Sequence, residues 1–139
     1  MKATELMIDD WVRISKSGLH KVNSIYLTGQ FVHVQKSDNV DGDVEDVRPI
    51  PLTTKILKKN NFSRLRVANI DEWRFLCGNV LISLSTTERD KDIGGFHLTI
   101  CVDGGDNQDL AFALDMRCFY VHELQHAMRL ANIEKEVVL

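Results

Sequence analysis

The chain has 139 residues, 44% of them apolar and 27% charged, which is enough for one hydrophobic core. Seventeen basic residues stand against twenty acidic ones; the net charge of -3 excludes a strongly basic nucleic-acid coat and a highly acidic tail protein. No run approaches the ~18 apolar residues of a membrane span, and Met1-Lys2-Ala3-Thr4-Glu5-Leu6 lacks the apolar core of a secretory signal, so a cytoplasmic location is expected.

Residues 1–50 read as short strands. Asp10-Trp11-Val12-Arg13-Ile14 alternates apolar and polar, as a half-buried strand does. Ser15-Lys16-Ser17-Gly18 is a turn, and residues His20 to Leu27 form a second strand. After the tight Thr28-Gly29-Gln30 connection, Phe31-Val32-His33-Val34-Gln35 is a third. This spacing suggests a β-meander or an SH3-like small barrel. The acidic loop from Asp38 to Asp46 carries five carboxylates and Gly42. A calcium loop needs oxygen ligands at alternate positions. Val40 breaks that pattern and no helix flanks the loop, so a solvated hairpin tip is expected.

Val47-Arg48-Pro49-Ile50-Pro51-Leu52 is extended, because proline disfavours helix in the residue before it. Thr53 is a good N-cap, and Leu52 can staple against Leu57 across it. A short helix follows, from Thr54 to about Asn60, stopped by Asn60-Asn61. Lys55, Lys58, Lys59, Arg64 and Arg66 form a basic segment with no acid between 54 and 66. It is the one candidate partner-binding patch. The favoured reading is plainer, the polar face of an amphipathic helix.

Strands are expected over 72–84, broken by a Cys77-Gly78-Asn79 turn, and over 94–102. Thr86 to Gly95 reads as a charged loop closed by two glycines. Asp103 to Asn107 is a second loop, and its Gly104-Gly105 belongs to no phosphate-binding motif. The last element is a helix from about Phe119 to Ile133, with Asn132 as its stop; the tail after it adds a short strand. Cys77, Cys101 and Cys118 form no C-x-x-C pair and no disulfide framework, and Cys101 reads as a buried small hydrophobe.

His122-Glu123-Leu124-Gln125-His126 matches H-E-x-x-H on this helix. In zinc peptidases the two histidines share one helix face as metal ligands, and the glutamate is the general base. Glu123 is therefore the formal catalytic candidate, with His122 and His126 the formal metal ligands. The helical wheel argues against it. At ~100° per residue the apolar stripe centres on Leu124, flanked by Tyr120, Met128 and Ala131. His122 and His126 fall on the other side with Arg129 and are expected to face water. The metzincin extension that would supply a third ligand is missing.

Three stretches carry a family resemblance. They are Lys2-Ala3-Thr4-Glu5-Leu6 with Asp10-Trp11-Val12, then Arg48-Pro49-Ile50-Pro51-Leu52-Thr53 with Ile56-Leu57 and Phe62, then Tyr120-Val121-His122-Glu123-Leu124-Gln125. Together they resemble a family of small uncharacterised Bacteroidetes proteins, often found in prophage or mobile-element neighbourhoods. Its pattern opens K-A-x-E-L-R-I-G-N-x-V, continues P-I-P-L-T-x-x-x-L-x-x-x-G-F and closes Y-V-H-Q-L-Q-N-L-Y-F-A-L-T-G. The resemblance spans nearly the whole chain and carries no activity with it. Family members commonly have Gln at Glu123 and Asn at His126, which implies that H-E-x-x-H is a local coincidence. This chain departs from the pattern at Asp9-Asp10, in place of Gly-Asn, and at Asn61, in place of Gly.

The expected architecture is α+β: an N-terminal β-meander or SH3-like small barrel, a strand-rich remainder, one short central helix and one C-terminal helix. It reads as a single domain over 1–139, divisible into a β unit over 1–47 and an α+β unit over 48–139. The expected function is a non-catalytic binding or adaptor protein of phage or mobile-element origin. Its partner is expected to be a protein, with no cofactor, no metal and no membrane. The alternatives are a zinc-dependent hydrolase using His122, Glu123 and His126, and a nucleic-acid-binding protein using the basic segment. The sequence leaves the oligomeric state open.

Overall fold

Alternating apolar and polar residues build two antiparallel five-stranded sheets, one in each of two compact units, Met1–Pro51 and Leu52–Leu139. The computed structural model describes residues 5–14, 18–26, 31–35, 42–44, 47–102 and 111–139. The units meet at Pro51 and Leu52, a few residues beyond the division expected after 47. Val47 and Arg48 form a strand of the first sheet, and this carries the boundary past the prolines.

The first unit contains β1 (Trp11–Ile14), β2 (Gly18–Tyr26), β3 (Phe31–Gln35), β4 (Gly42–Val44) and β5 (Val47–Arg48). Their order is β4-β3-β2-β1-β5: a four-strand meander with the last strand returned beside the first. Leu6, Val12, Ile14, Val22 and Val47 form its core. The chain enters β1 through a left-handed Asp9, φ 68°, whose N–H donates to the Val22 carbonyl at 2.8 Å. Asp10 is fully buried, and its carboxylate accepts from the Met7 N–H at 2.7 Å. The turns expected at 15–17 and 28–30 lie outside the described residues. So does the acidic loop weighed for calcium, apart from Gly42–Val44, which is β4.

The second unit runs α1 (Thr54–Lys59), β6 (Ser63–Val67), β7 (Ile70–Cys77), β8 (Val80–Thr87), β9 (Phe96–Val102), β10 (Ala111–Cys118) and α2 (Val121–Leu130). The strands form a plain meander, β10-β9-β8-β7-β6. One register row aligns Trp73, Leu84, Leu98 and Met116; the next on that face aligns Phe75, Ile82, Ile100 and Leu114. This is the apolar face, where Trp73, Ile82, Leu84, Leu98 and Ile100 are buried. Leu57, Val121, Leu124, Ala127, Met128 and Val137 are also buried in this unit. The other face carries Glu72, Arg74, His97 and Asp115, with an Arg74–Glu72 ion pair and a His97–Asp115 hydrogen bond along it.

The α+β, strand-rich class with one short central helix and one C-terminal helix is therefore the observed one. Strands β4, β6 and β10 are additions to the sequence reading. The charged loop after residue 86 is shorter than expected: β8 continues to Thr87, and Glu88–Lys91 is a 3-10 turn. Gly95 closes it at φ 73°, where an added Cβ would lie 2.7 Å from the Phe119 ring and 2.9 Å from the Cys118 carbonyl. The Gly104-Gly105 loop lies outside the described residues.

Both helices end in the same way. In α1 the N–H of Phe62 donates to the Leu57 carbonyl and that of Asn61 to Lys58, with Asn61 left-handed at φ 63°. In α2 the N–H of Ile133 donates to Met128 and that of Asn132 to Arg129, with Asn132 at φ 56°. These are Schellman ends with Asn in the glycine position, and each apolar partner pair, Leu57 with Phe62 and Met128 with Ile133, is buried. The expected tail strand does not form: residues 133–139 belong to no regular element. Val138 is held by the Asn60 side chain, whose Nδ2 donates to the Val138 carbonyl at 2.7 Å and whose Oδ1 accepts the Val138 N–H at 2.8 Å. Among the described residues no helix is long and apolar enough to cross a membrane.

Candidate functional site

The H-E-x-x-H residues are absorbed by the architecture of α2. Glu123 is the third residue of the helix, and its carboxylate accepts from the Phe119 N–H at 2.6 Å and the Tyr120 N–H at 3.0 Å. This is the glutamate arm of a capping box, satisfying donors at the helix entrance. His122 does not face water as the wheel suggested: it is 5% exposed. Its ring stacks on Tyr120 with centroids 5.7 Å apart and planes 10° apart, and meets His126 edge-on at 5.6 Å. The reason is that Val121, His122, Leu124, Gln125, Ala127 and Met128 are all buried, so the helix is enclosed on more than its apolar stripe. Among the described residues no three His, Cys, Asp or Glu side chains come together to hold a metal. His97 is hydrogen-bonded to Asp115 on the polar sheet face. Burial pushes the Cys118 thiol up to about 12, which removes it as a nucleophile near neutral pH.

The basic segment has a different fate. Thr53 caps α1, its Oγ1 accepting from the Ile56 N–H at 3.4 Å. Leu57 anchors one side of the helix in the core. Lys55 and Lys58, three residues apart, share an exposed side. The tight Asn60-Asn61 exit then turns the chain directly into β6. Helix and strand thus enclose an open groove of about 490 Å³ lined by Thr54, Lys55, Lys58, Phe62, Arg64 and Trp73. Phe62 and Trp73 form an apolar floor and are only 4% and 6% exposed.

Arg64 pairs across the ladder with Trp73, and its guanidinium lies 5.9 Å from the indole centroid. Its Nε and Nη2 donate to the two oxygens of Asp71 at 2.7 and 2.6 Å. That fork holds the Asp71 carboxyl below its ordinary range and raises the arginine. Arg66 lies two residues on, on the same sheet face. Lys59 is drawn away, its Nζ donating to the Leu139 carbonyl. The structure therefore gathers Lys55, Lys58 and Arg64 at one groove, aligns Arg66 along the strand beside it, and diverts Lys59 to the tail. Phe62, Asp71 and Trp73 were not foreseen as neighbours of these cations. Only the β6–β7 register brings the last two there.

No family model, curated protein or solved structure matches the chain. What the groove can do follows from its chemistry. Exposed cations on its rim donate charge-assisted hydrogen bonds to an anionic ligand. Its aromatic floor residues are only 4% and 6% exposed, which leaves little ring surface on which a nucleobase could stack.

Proposed function

We propose that the protein is a non-catalytic binding module that docks an acidic segment of a partner protein in the groove between α1 and the β6–β7 hairpin. The observation that carries this reading is the meeting of Lys55 and Lys58 from α1 with Arg64 from β6 over an apolar floor. Engagement of Glu123 by two backbone N–H groups favours it over the zinc hydrolase, which needs that carboxylate as a base. The covered rings of Phe62 and Trp73 favour a protein ligand over a nucleic acid. In the first unit the order β4-β3-β2-β1-β5 supports our reading of an SH3-like small barrel, a scaffold suited to an adaptor. Cys77, Cys101 and Cys118 are free, in keeping with a cytoplasmic setting. The prophage-associated family remains our reading of the chain's origin. Left-handed φ values at Asp9 and Asn61, two of the sites where that family's pattern has Gly, support it.

The test is a fluorescence-anisotropy titration of the whole protein with a labelled glutamate-rich peptide at low and physiological salt. Binding that weakens with salt, and falls at least about tenfold in a Lys55→Glu/Lys58→Glu variant, is expected. Absence of binding overturns the reading. So does tighter binding of a single-stranded oligonucleotide that the same double change abolishes.

A further inference from the structure

β6 is the end strand of its sheet, and every one of its residues from Ser63 to Val67 is exposed. Such an edge is a ready template for another strand, and proteins ordinarily cover or blunt it. The hydrogen-bonding capacity of this edge is set by the hairpin. β6 and β7 are joined by a two-residue turn, Ala68-Asn69, so Val67 and Ile70 are the closing hydrogen-bonded pair. Pairs then alternate along the ladder: Leu65 with Glu72 and Ser63 with Arg74 are bonded, whereas Arg66 with Asp71 and Arg64 with Trp73 are not. The backbone N–H and C=O of Arg64 and Arg66 therefore point outward.

The side chains divide by the same alternation. Arg64 and Arg66 lie on the groove face, the face that Lys55 and Lys58 flank. Leu65 and Val67 lie on the opposite face with Ile70, and these three are 38%, 56% and 43% exposed. The edge thus presents two arginines on one side, of which Arg64 is paired to Asp71 of β7 on the same face, and apolar groups on the other.

A second copy of β6 is a poor occupant. Hydrogen bonds can form only between outward-pointing residues, which in both copies are arginines. Every bonded antiparallel register therefore sets arginine opposite arginine, and like charges directly opposite are destabilising. The same row favours a strand with carboxylates at those positions.

We infer that β6 receives an extended segment of a partner protein as a sixth strand, by β-augmentation, and selects one that alternates acidic and apolar residues. The acidic side chains lie opposite Arg64 and Arg66, within reach of Lys55 and Lys58; the apolar ones cover Leu65 and Val67. Main-chain hydrogen bonds hold the segment and the alternation gives it specificity. This inference rests on the acidic-ligand reading of the groove and adds the conformation and pattern of the ligand.

Two labelled twelve-residue peptides of equal composition separate the two ideas. One alternates Glu with Val and Thr; the other has its glutamates grouped at one end. The alternating peptide should bind at least about tenfold tighter. Its binding should slow hydrogen exchange at the Arg64 and Arg66 amides, which point to water in the free protein. Arg66→Pro removes one outward N–H on an edge strand, where proline is tolerated, and should abolish the preference between the peptides. If that variant does not fold, amide exchange in the unaltered protein decides alone. Equal affinity for the two peptides, with the Arg64 and Arg66 amides unprotected, overturns strand addition and leaves the acidic groove standing. Binding of neither peptide overturns both readings, as does a preference for a single-stranded oligonucleotide.

Discussion

Helix α2 and the segment from Thr54 to Arg66 both present polar side chains at regular spacing, but they spend them in opposite directions. In α2 the polar groups turn inward: Glu123 closes the helix entrance, His122 stacks under Tyr120, and Gln125 is buried. In the basic segment Lys55, Lys58 and Arg66 remain exposed, and Arg64, though forked to Asp71, keeps its side chain 52% exposed. The region with the more suggestive letters is structural; the region that read as a solvated surface makes the groove. A motif specifies residue types and spacing. Whether its side chains retain unspent charge or hydrogen-bonding capacity depends on what packs around them.

The largest expected effect tests whether α2 is truly a core element. Leu124 is fully buried. Leu124→Ala should cost about 2–5 kcal/mol, from lost apolar burial and the cavity left behind. Denaturant unfolding followed by tryptophan fluorescence measures it. A cost below about 1 kcal/mol would detach α2 from the core and erase the contrast between the two regions.

A smaller effect is expected at the motif glutamate. Glu123→Ala removes the acceptor of two backbone N–H groups and should cost about 1 kcal/mol, as loss of a helix cap does. Glu123→Gln should cost less, because the amide oxygen can still accept. EDTA should leave the melting temperature unchanged. Near one equivalent of bound zinc, lost in either His122→Ala or His126→Ala, would turn α2 into a metal site and reverse the comparison.

The sequence made much of this fold legible wherever a local signal coincided with the tertiary outcome. Thr53, Leu52 and Leu57 mark the start of α1, Asn60-Asn61 its end, and Cys77-Gly78-Asn79 the β7–β8 turn. β10 was missed although Leu114, Met116 and Cys118 alternate with Asp115 and Arg117, the period of a strand. β6 was missed because its arginines read as a continuation of the helical charge, although Leu65 and Val67 alternate with Arg64 and Arg66 at the period of a strand. The groove lay further from view. Trp73 and Asp71 reach Arg64 through strand register, and register is a property of two segments that neither contains alone. The orientation of His122 failed for a related reason. A helical wheel ranks the faces of one helix against each other, but says nothing of how many of them the rest of the chain will cover.

The smallest effects are expected in the basic segment, and their signs are informative. Helix α1 has no acid in its first turn, where Lys55 sits, and has Lys58 and Lys59 in its last. The backbone dipole favours negative charge at the start of a helix and positive charge at its end. Lys55→Glu should therefore stabilise the fold by a few tenths of a kcal/mol, and Lys58→Glu should destabilise it by about as much. The double change should then fall within about 0.5 kcal/mol of the unaltered protein. Such a result would mean that Lys55 stands against the preference of its own helix, as expected of a residue whose charge serves a ligand rather than the fold. It would also make any loss of peptide binding in the double variant a property of the surface alone. A destabilisation above about 1 kcal/mol on Lys55→Glu would make that lysine structural. The basic segment would then join α2 on the inward-facing side of the comparison.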